Sequence, residues 1–292
     1  MNAPRIGLVA GWGRYPILVA ETLQRHGIDV FCLGIKGHAD PVLAEICHDF
    51  RPIGIAKLGA QIRYFRRHKI THATMAGKIF KHRVLYHGLG WIGHLPDWRF
   101  LRVGLPYFIT NTKSRQDDTL LSAFVEAFAK DGIHFEPATD FVPELLVKNG
   151  SLTWGRPSST EWKDIQFGWG VAKEIGRMDI GQTVVIKNQS VVAVEAIEGT
   201  DECIRRAGEL CPQGGLTVVK VAKPQQDMRF DVPAIGVGTL KSIAQAGGRV
   251  LAIEAGKTIV IDADEVADFA RKHGISVVAV DADEINVRRT AA

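Results

Sequence analysis

Residues 5–35, RIGLVAGWGRYPILVAETLQRHGIDVFCLGI, place the strongest constraint on the fold. Ile6 to Ala10 form a short uncharged run of the kind found in strands buried on both faces. Gly11 and Gly13 then permit a tight turn. Pro16 falls in the first turn of a helix, where its missing N–H costs nothing. Gly27 ends that helix, and IDVFCLGI reads as a second buried strand. KLGAQIRYFRRHKI follows as a basic helix, and THATMAGKI as a third strand that runs into Gly77 and Lys78. Strands alternating with helices predict a parallel sheet with right-handed crossovers.

Beyond this unit, Phe80 to Pro106 is rich in His, Trp and Gly and has little periodicity, which predicts a surface segment near a ligand. KSRQDDTLLSAFVEAFAKDG reads as a helix, with Ser114 and Asp117 at capping-box spacing and Gly132 as its stop. IHFEPA follows as a short strand. Residues 137–157 carry Pro and Gly and are the expected linker between an N-terminal domain over 1–136 and a C-terminal domain over 158–292. The second half alternates differently. WKDIQFGWGVAKEIGRMD is a helix, and GQTVVIKNQSVVAVEAI a hairpin turning at KNQS. TDECIRRAGEL is a helix capped by Thr200 or Asp201, and GGLTVVKVAK a strand. TLKSIAQAGG, RVLAIEAG, KTIVID, ADEVADFARKHG and ISVVAVD complete an α/β unit, and EINVRRTAA reads as a loose tail. The expected class is therefore α/β, with a Rossmann-like parallel sheet first and a mixed α/β domain second.

With 36 Lys and Arg against 32 Asp and Glu, the net charge of +4 is spread over both signs. That balance suits an anionic small molecule or a membrane surface at least as well as nucleic acid, for which no module signature is present. Four cysteines without CxxC spacing point to a reducing cytosol. No signal peptide and no apolar run of membrane-spanning length is expected, so membrane contact would be peripheral.

Several chemistries lack their residues. AGWGRYP has Pro16 where the dinucleotide fingerprint needs a third glycine, and Gly34 and Lys36 lie where a ribose-binding acid would stand. An NAD enzyme is disfavoured. Gly11 and Gly13 fit either a phosphate-facing turn or an ordinary tight one. MAGK is no P-loop, but Lys78 sits at the carboxyl end of a strand, where parallel sheets bind ligands. HExxH, paired cysteines and GxSxG are missing, while Mg²⁺ held by Asp and Glu oxygens stays open.

The densest charge lies later. Glu195 is embedded in the apolar run VVAVEAI, a costly position unless it is paired or metal-bound. Glu198, Gly199, Thr200 and Asp201 follow at a helix start. Lys220, Lys223, Asp227, Arg229 and Asp231 come next, the last three on alternate residues of KPQQDMRFDVPAIGVGT. A salt-bridged surface would explain such a pattern. Charge interleaved with small and apolar residues, then Pro233 and the Gly236/Gly238 loop, favours a preorganised polar pocket, because buried charges must be paired.

Taken in order, AGWGRYP, MAGK, QDDTLL, GQTVVIKNQSVVAVEAIEGTDECIRRAG, VVKVAKPQQDMRFDVPAIGVGT and LAIEAGKTIVID resemble the LpxI-type UDP-2,3-diacylglucosamine pyrophosphatases of Gram-negative lipid A synthesis. The resemblance spans about residues 5 to 280, with Val237 standing where proline is expected after PAIG. It implies Mg²⁺-dependent hydrolysis of UDP-2,3-diacylglucosamine to UMP and 2,3-diacylglucosamine 1-phosphate (lipid X), with the lipid product held between two α/β domains. It also implies a cytoplasmic enzyme at the inner face of the inner membrane, forming a homodimer. The family's central acidic motif falls on Asp227, the expected catalytic or Mg²⁺-binding carboxylate. Asp231 and Glu195 are further expected metal ligands. Arg229, Lys220 and Lys223 would stabilise the transition state. Gly11, Gly13, Lys78, Glu198, Gly199, Thr200 and Asp201 would meet the substrate. The Trp91–Trp98 region is one place for acyl chains. The competing class is a non-catalytic nucleotide- or lipid-binding α/β protein.

Overall fold

A computed structural model describes residues 3–79, 94–109, 117–153 and 155–290. The chain divides into two units. One comprises Met1–Pro143 with Asp227–Phe230, the other Glu144–Gln226 with Asp231–Ala292.

The first unit runs β1 (Arg5–Ala10), α1 (Arg14–Arg25), β2 (Asp29–Ile35), α2 (Leu43–Ile46), β3 (Asp49–Ile53), α3 (Leu58–Arg67), β4 (His72–Ala76), α4 (Trp98–Ile109), α5 (Asp117–Ala129), β5 (His134–Phe135) and α6 (Ala138–Phe141). Its five strands are all parallel, in the order β3-β2-β1-β4-β5. Leu33, Ile62, Phe65 and Phe128 are buried in its core, each contributing about 1.5–3 kcal/mol by burial. Gly7 on β1 makes room for this packing, since a Cβ there would sit 2.9 Å from the Phe65 ring. Strand β3 has no counterpart among the strands expected from the sequence. Its residues DFRPI carry charge and proline because it is an edge strand with two exposed positions. Ser114 and Trp91 lie outside the described residues.

The second unit holds β6 (Gly150–Ser151), α7 (Ser159–Arg177), β7 (Thr183–Lys187), β8 (Ser190–Val194), α8 (Thr200–Leu210), β9 (Leu216–Lys220), β10 (Ala234–Ile235), α9 (Val237–Gln245), β11 (Gly248–Glu254), β12 (Ile259–Val260), α10 (Ala263–His273), β13 (Ser276–Val280) and α11 (Ala282–Thr290). Six of the strands form a mixed sheet ordered β6-β13-β11-β9-β7-β8, parallel at its centre and antiparallel at both sides. Strand alternation feeds two cores. Leu251, Ile253, Val277 and Ala279 enter one, and Val250, Ala252, Val278 and Val280 the other. A capping box of Ser158 and Glu161 starts α7. The β7–β8 hairpin turns on Asn188 and Gln189, both at positive φ. Their N–H groups donate to the buried carboxylate of Asp164 on α7, at 3.1 and 2.6 Å.

Several local expectations are corrected. Residues 144–157 hold β6 and an Leu146–Ile259 bridge, so this part of the expected linker belongs to the second unit. Gly199, not Thr200 or Asp201, caps α8, and its φ of 85° is one that glycine adopts without strain. Gly236 caps α9, which takes in Gly238 as a helical residue. The expected tail is the helix α11, and KTIVID contributes only β12, paired with β10 apart from the main sheet.

Candidate active site

Strand β1 lies between β2 and β4, so the chain winds away from it in both directions. The loops after β1 and β4 leave the carboxyl edge of the sheet at that reversal, the usual ligand position of such folds. They are laced together. Gly11 N–H donates to the Ala76 carbonyl (2.8 Å), and Trp12 and Lys78 exchange backbone hydrogen bonds of 2.8 and 2.9 Å. Gly77, at φ 94°, has no space for a side chain, because a Cβ would stand 2.7 Å from Pro16 Cγ and 2.8 Å from the Gly11 carbonyl carbon. Gly11 is equally confined against the Lys78 carbonyl. Both glycines thus serve loop-to-loop approach. Gly13 differs: it caps α1 at φ 110° with open space around it, and Lys78 is exposed beside it in the fold. Tyr15, not among the expected site residues, buries its hydroxyl without a hydrogen-bond partner among the described residues, and burial raises its pKa.

In the second unit three expected site residues meet. Lys220 ends β9 and Glu195 follows β8; they are 6% and 7% exposed. Thr200, first residue of α8, joins them. Its hydroxyl donates to Glu195 Oε1 (2.9 Å) and accepts from Lys220 Nζ (2.9 Å), with Thr183 Oγ1 at 3.4 Å. Gln182 N–H approaches Glu195 Oε2 at 3.4 Å. The Glu195 backbone crosses so close to Gly181 that no side chain fits at that position. Such charges are tolerable in the interior only with hydrogen bonds of this kind. Glu198 and Asp201 do not join the cluster. Glu198 is exposed and pairs with Arg206 (2.7 Å), whose hydrogen bond holds its carboxyl below the usual range. Asp201 is exposed in the first turn of α8.

The alternating stretch from Lys223 is not a strand. Residues 227–230 make a turn in which Phe230 N–H donates to the Asp227 carbonyl. Asp227 accepts from Arg229 Nε (3.0 Å), Nη2 (2.6 Å) and backbone N (3.0 Å). The Arg229 side chain accordingly holds the Asp227 carboxyl below its ordinary pKa. The guanidinium lies 5.0 Å from the Phe230 ring centroid, and Phe230 packs on the core of the first unit. Alternation put Asp227 and Arg229 on one side by a tight turn that salt-bridges them, rather than by a pleat. Gln226 closes the base of this turn, its Nε2 reaching Asp231 O and Oδ2 at 2.7 and 2.6 Å. Lys223 pairs with Asp179 (2.6 Å). Among the described residues no three His, Cys, Asp or Glu side chains come together to hold a metal ion. Asp227, Glu195 and Asp231, expected as one ligand set, are engaged separately by Arg229, Thr200 and Gln226.

The family models of the LpxI N-terminal domain and the LpxI C-terminal domain match residues 5–145 and 148–278. The chain belongs to the LpxI family. A family relative from Caulobacter vibrioides, named UDP-2,3-diacylglucosamine pyrophosphatase LpxI, is 32% identical over 289 residues, covering 96% of this chain and 99% of its own. The two family domains meet between residues 145 and 148, just after Glu144, where the second unit begins. No helix among the described residues is long and apolar enough to cross a membrane.

Proposed function

We propose that this LpxI-family chain hydrolyses the pyrophosphate bond of UDP-2,3-diacylglucosamine, releasing UMP and 2,3-diacylglucosamine 1-phosphate. The observation that carries the reading is the match to the Caulobacter pyrophosphatase along 96% of the chain. The charge placement is compatible with it. Water adds to one phosphorus, the bridging P–O bond breaks, and negative charge grows on oxygens that are already anionic. Asp227, kept ionised by Arg229, is the carboxylate assigned to orient the attacking water and take its proton. Lys220 supplies buried positive charge, which acts more strongly on phosphate in a dry site than in water. Thr200 and Glu195 hold that lysine in place. Gly13 at the start of α1, with Lys78, is assigned to an anionic part of the substrate.

Mg²⁺ enters the proposal through the family, with Asp227 as the first carboxylate to test. It would neutralise phosphate charge when bound. Each role above is assigned to the chain's own side chains, and one or two carboxylates beside the substrate phosphates are enough to hold Mg²⁺. Peripheral contact with the inner face of the inner membrane, and a homodimer, complete the reading.

The test is to incubate the purified protein with UDP-2,3-diacylglucosamine and Mg²⁺ and to follow the products by ³¹P NMR. UMP and the sugar 1-phosphate should appear together. Tight binding of the substrate without turnover would instead make the chain a lipid-nucleotide binding protein.

A further inference from the structure

Helix α4, in the first unit, is apolar on two sides. Phe100 and Val103 pack on the core, and the Phe100 ring lies 5.0 Å from that of Phe124 on α5. Trp98 and Leu101, one turn apart, stay outside: Trp98 is 80% exposed, and Leu101 is exposed beside it. Leu95, just before the helix, is exposed as well. A surface helix normally keeps its large apolar residues for the stripe that meets the core. Here a second set is left over.

The backbone under Trp98 is pinned. Asp97 precedes the helix, and its Oδ1 accepts from Phe100 N–H (3.0 Å). Asp97 also ties this helix start to α3. Its Oδ2 accepts from Ala60 N–H (3.2 Å), and its own N–H donates to the Ala56 carbonyl (3.1 Å). The indole is thus presented from a fixed point and not from a fraying end.

Arginines gather around it. Arg63 and Arg66 on α3 and Arg102 on α4 are exposed. Arg66 and Arg99 both donate to Asp131. Arg63 lies beside Arg99, since a Cβ on Gly59 would stand 3.4 Å from both Arg63 Nη1 and Arg99 Cβ. Among the described residues Asp131 is the carboxylate that forms ion pairs with these arginines, while Asp97 is engaged by backbone donors. The patch is therefore apolar at its centre and positively charged around it.

We propose that this α3–α4 face docks on an anionic phospholipid surface, with Trp98 and Leu101 entering the boundary between headgroups and acyl chains and the arginines meeting lipid phosphates. The purpose of the contact rests on the functional reading, in which the substrate carries two acyl chains. Tryptophan suits such a boundary because its ring is apolar while its N–H seeks a polar partner. Basic side chains are drawn to anionic headgroups over about a Debye length. A second copy of the chain fits the face poorly. A twofold contact sets one patch against itself, and the arginines would then oppose one another.

The experiment mixes the full-length protein with vesicles of equal parts phosphatidylglycerol and phosphatidylcholine, or of phosphatidylcholine alone, and measures the bound fraction by co-sedimentation. Wild type should bind the anionic vesicles at least about tenfold more tightly than the neutral ones, and high salt should weaken that binding. Trp98→Ser should lower the partition coefficient roughly tenfold, and Arg63→Gln with Arg102→Gln roughly 10- to 30-fold. Leu210→Ser, at an exposed apolar residue of the second unit, should bind as wild type. All the altered side chains are exposed, so each variant should melt with wild type. Equal binding by wild type, Trp98→Ser and the double arginine variant would overturn the proposal. So would a wild-type dimer that Trp98→Ser dissociates, which would make the face a contact between copies. Vesicle binding without any hydrolysis would remove the functional reading and leave the docking face. Hydrolysis of detergent-dispersed substrate without vesicle binding would remove the face alone.

Discussion

Thr200 Oγ1 stands 2.9 Å from both Lys220 Nζ and Glu195 Oε1, so one hydroxyl links a buried cation to a buried anion. The link spans three separate pieces of chain, the ends of β8 and β9 and the start of α8. Removing it deprives each charge of a hydrogen bond where water does not readily replace it.

Thr200→Val should therefore lower the unfolding free energy by roughly 1.5–3 kcal/mol, the range for hydrogen bonds to charged groups. Thr200→Ser, which keeps the hydroxyl, should retain most of that stability. Urea denaturation of the two variants decides the matter: equal midpoints would mean that the hydroxyl bridge contributes nothing.

Asp227→Asn should reduce kcat for UMP release by about 10²- to 10⁴-fold, the usual span for a group that handles the proton in the transition state. Unchanged turnover would remove Asp227 from the mechanism.

The Asp227–Arg229 pair also has a pH signature. Arg229 depresses the carboxyl pKa in the folded protein, so its stabilisation is complete above the ordinary Asp range. It decays as the pH falls through that range and is gone below the depressed native value. The melting-temperature difference between wild type and Asp227→Asn should be constant around neutrality and close only in acid. A difference that narrowed near pH 7 would point to another group.

The glycines at the sheet reversal make a graded prediction. Gly77→Ala adds a Cβ within 2.7–2.9 Å of Pro16, Gly11 and Trp12 as well as forcing an unfavourable φ. Gly13→Ala incurs only the backbone cost of a φ of 110° with ψ near 180°, about 1–3 kcal/mol. Thermal melts should rank Gly77→Ala well below Gly13→Ala. The reverse order would mean that the two loops separate freely.

For the cofactor, EDTA treatment should abolish hydrolysis and added Mg²⁺ restore it. Full activity in EDTA would exclude Mg²⁺ and leave charge neutralisation to cationic side chains such as Lys220.

How much of this was legible in the sequence depends on whether a residue's partner is close in the chain. Buried runs such as RIGLVA and the KNQS turn announced their strands and hairpin because their signals are local. The edge strand DFRPI did not, since half-exposed residues carry no apolar run. Glu195 could be picked out as an acid in an apolar stretch, and Lys220 by its place in a charged one, although nothing in the sequence says that Thr200 bridges them. Asp227, Arg229 and Asp231 share an alternating pattern that suggests a pleat, yet local hydrogen bonding folds the first two into a turn and leaves Asp231 exposed. Lys173 and Glu254, an ion pair that hydrogen-bonds the carbonyl and N–H of buried Ala222, left no signal at all. A lysine on a helix and a glutamate at a strand end are ordinary, and only the tertiary fold brings them to Ala222, 49 and 32 residues away.

The two-residue strand Gly150–Ser151 lies along β13, whose sequence SVVAV is almost wholly buried. Without it, that apolar strand would present unpaired backbone groups at the margin of the sheet, an open template for strand addition by another chain. A C-terminal fragment beginning at residue 158 would lack this guard and tend to self-associate, whereas one beginning at residue 144 would carry it. The short segment before α7 is thus a matter of solubility as much as of connection.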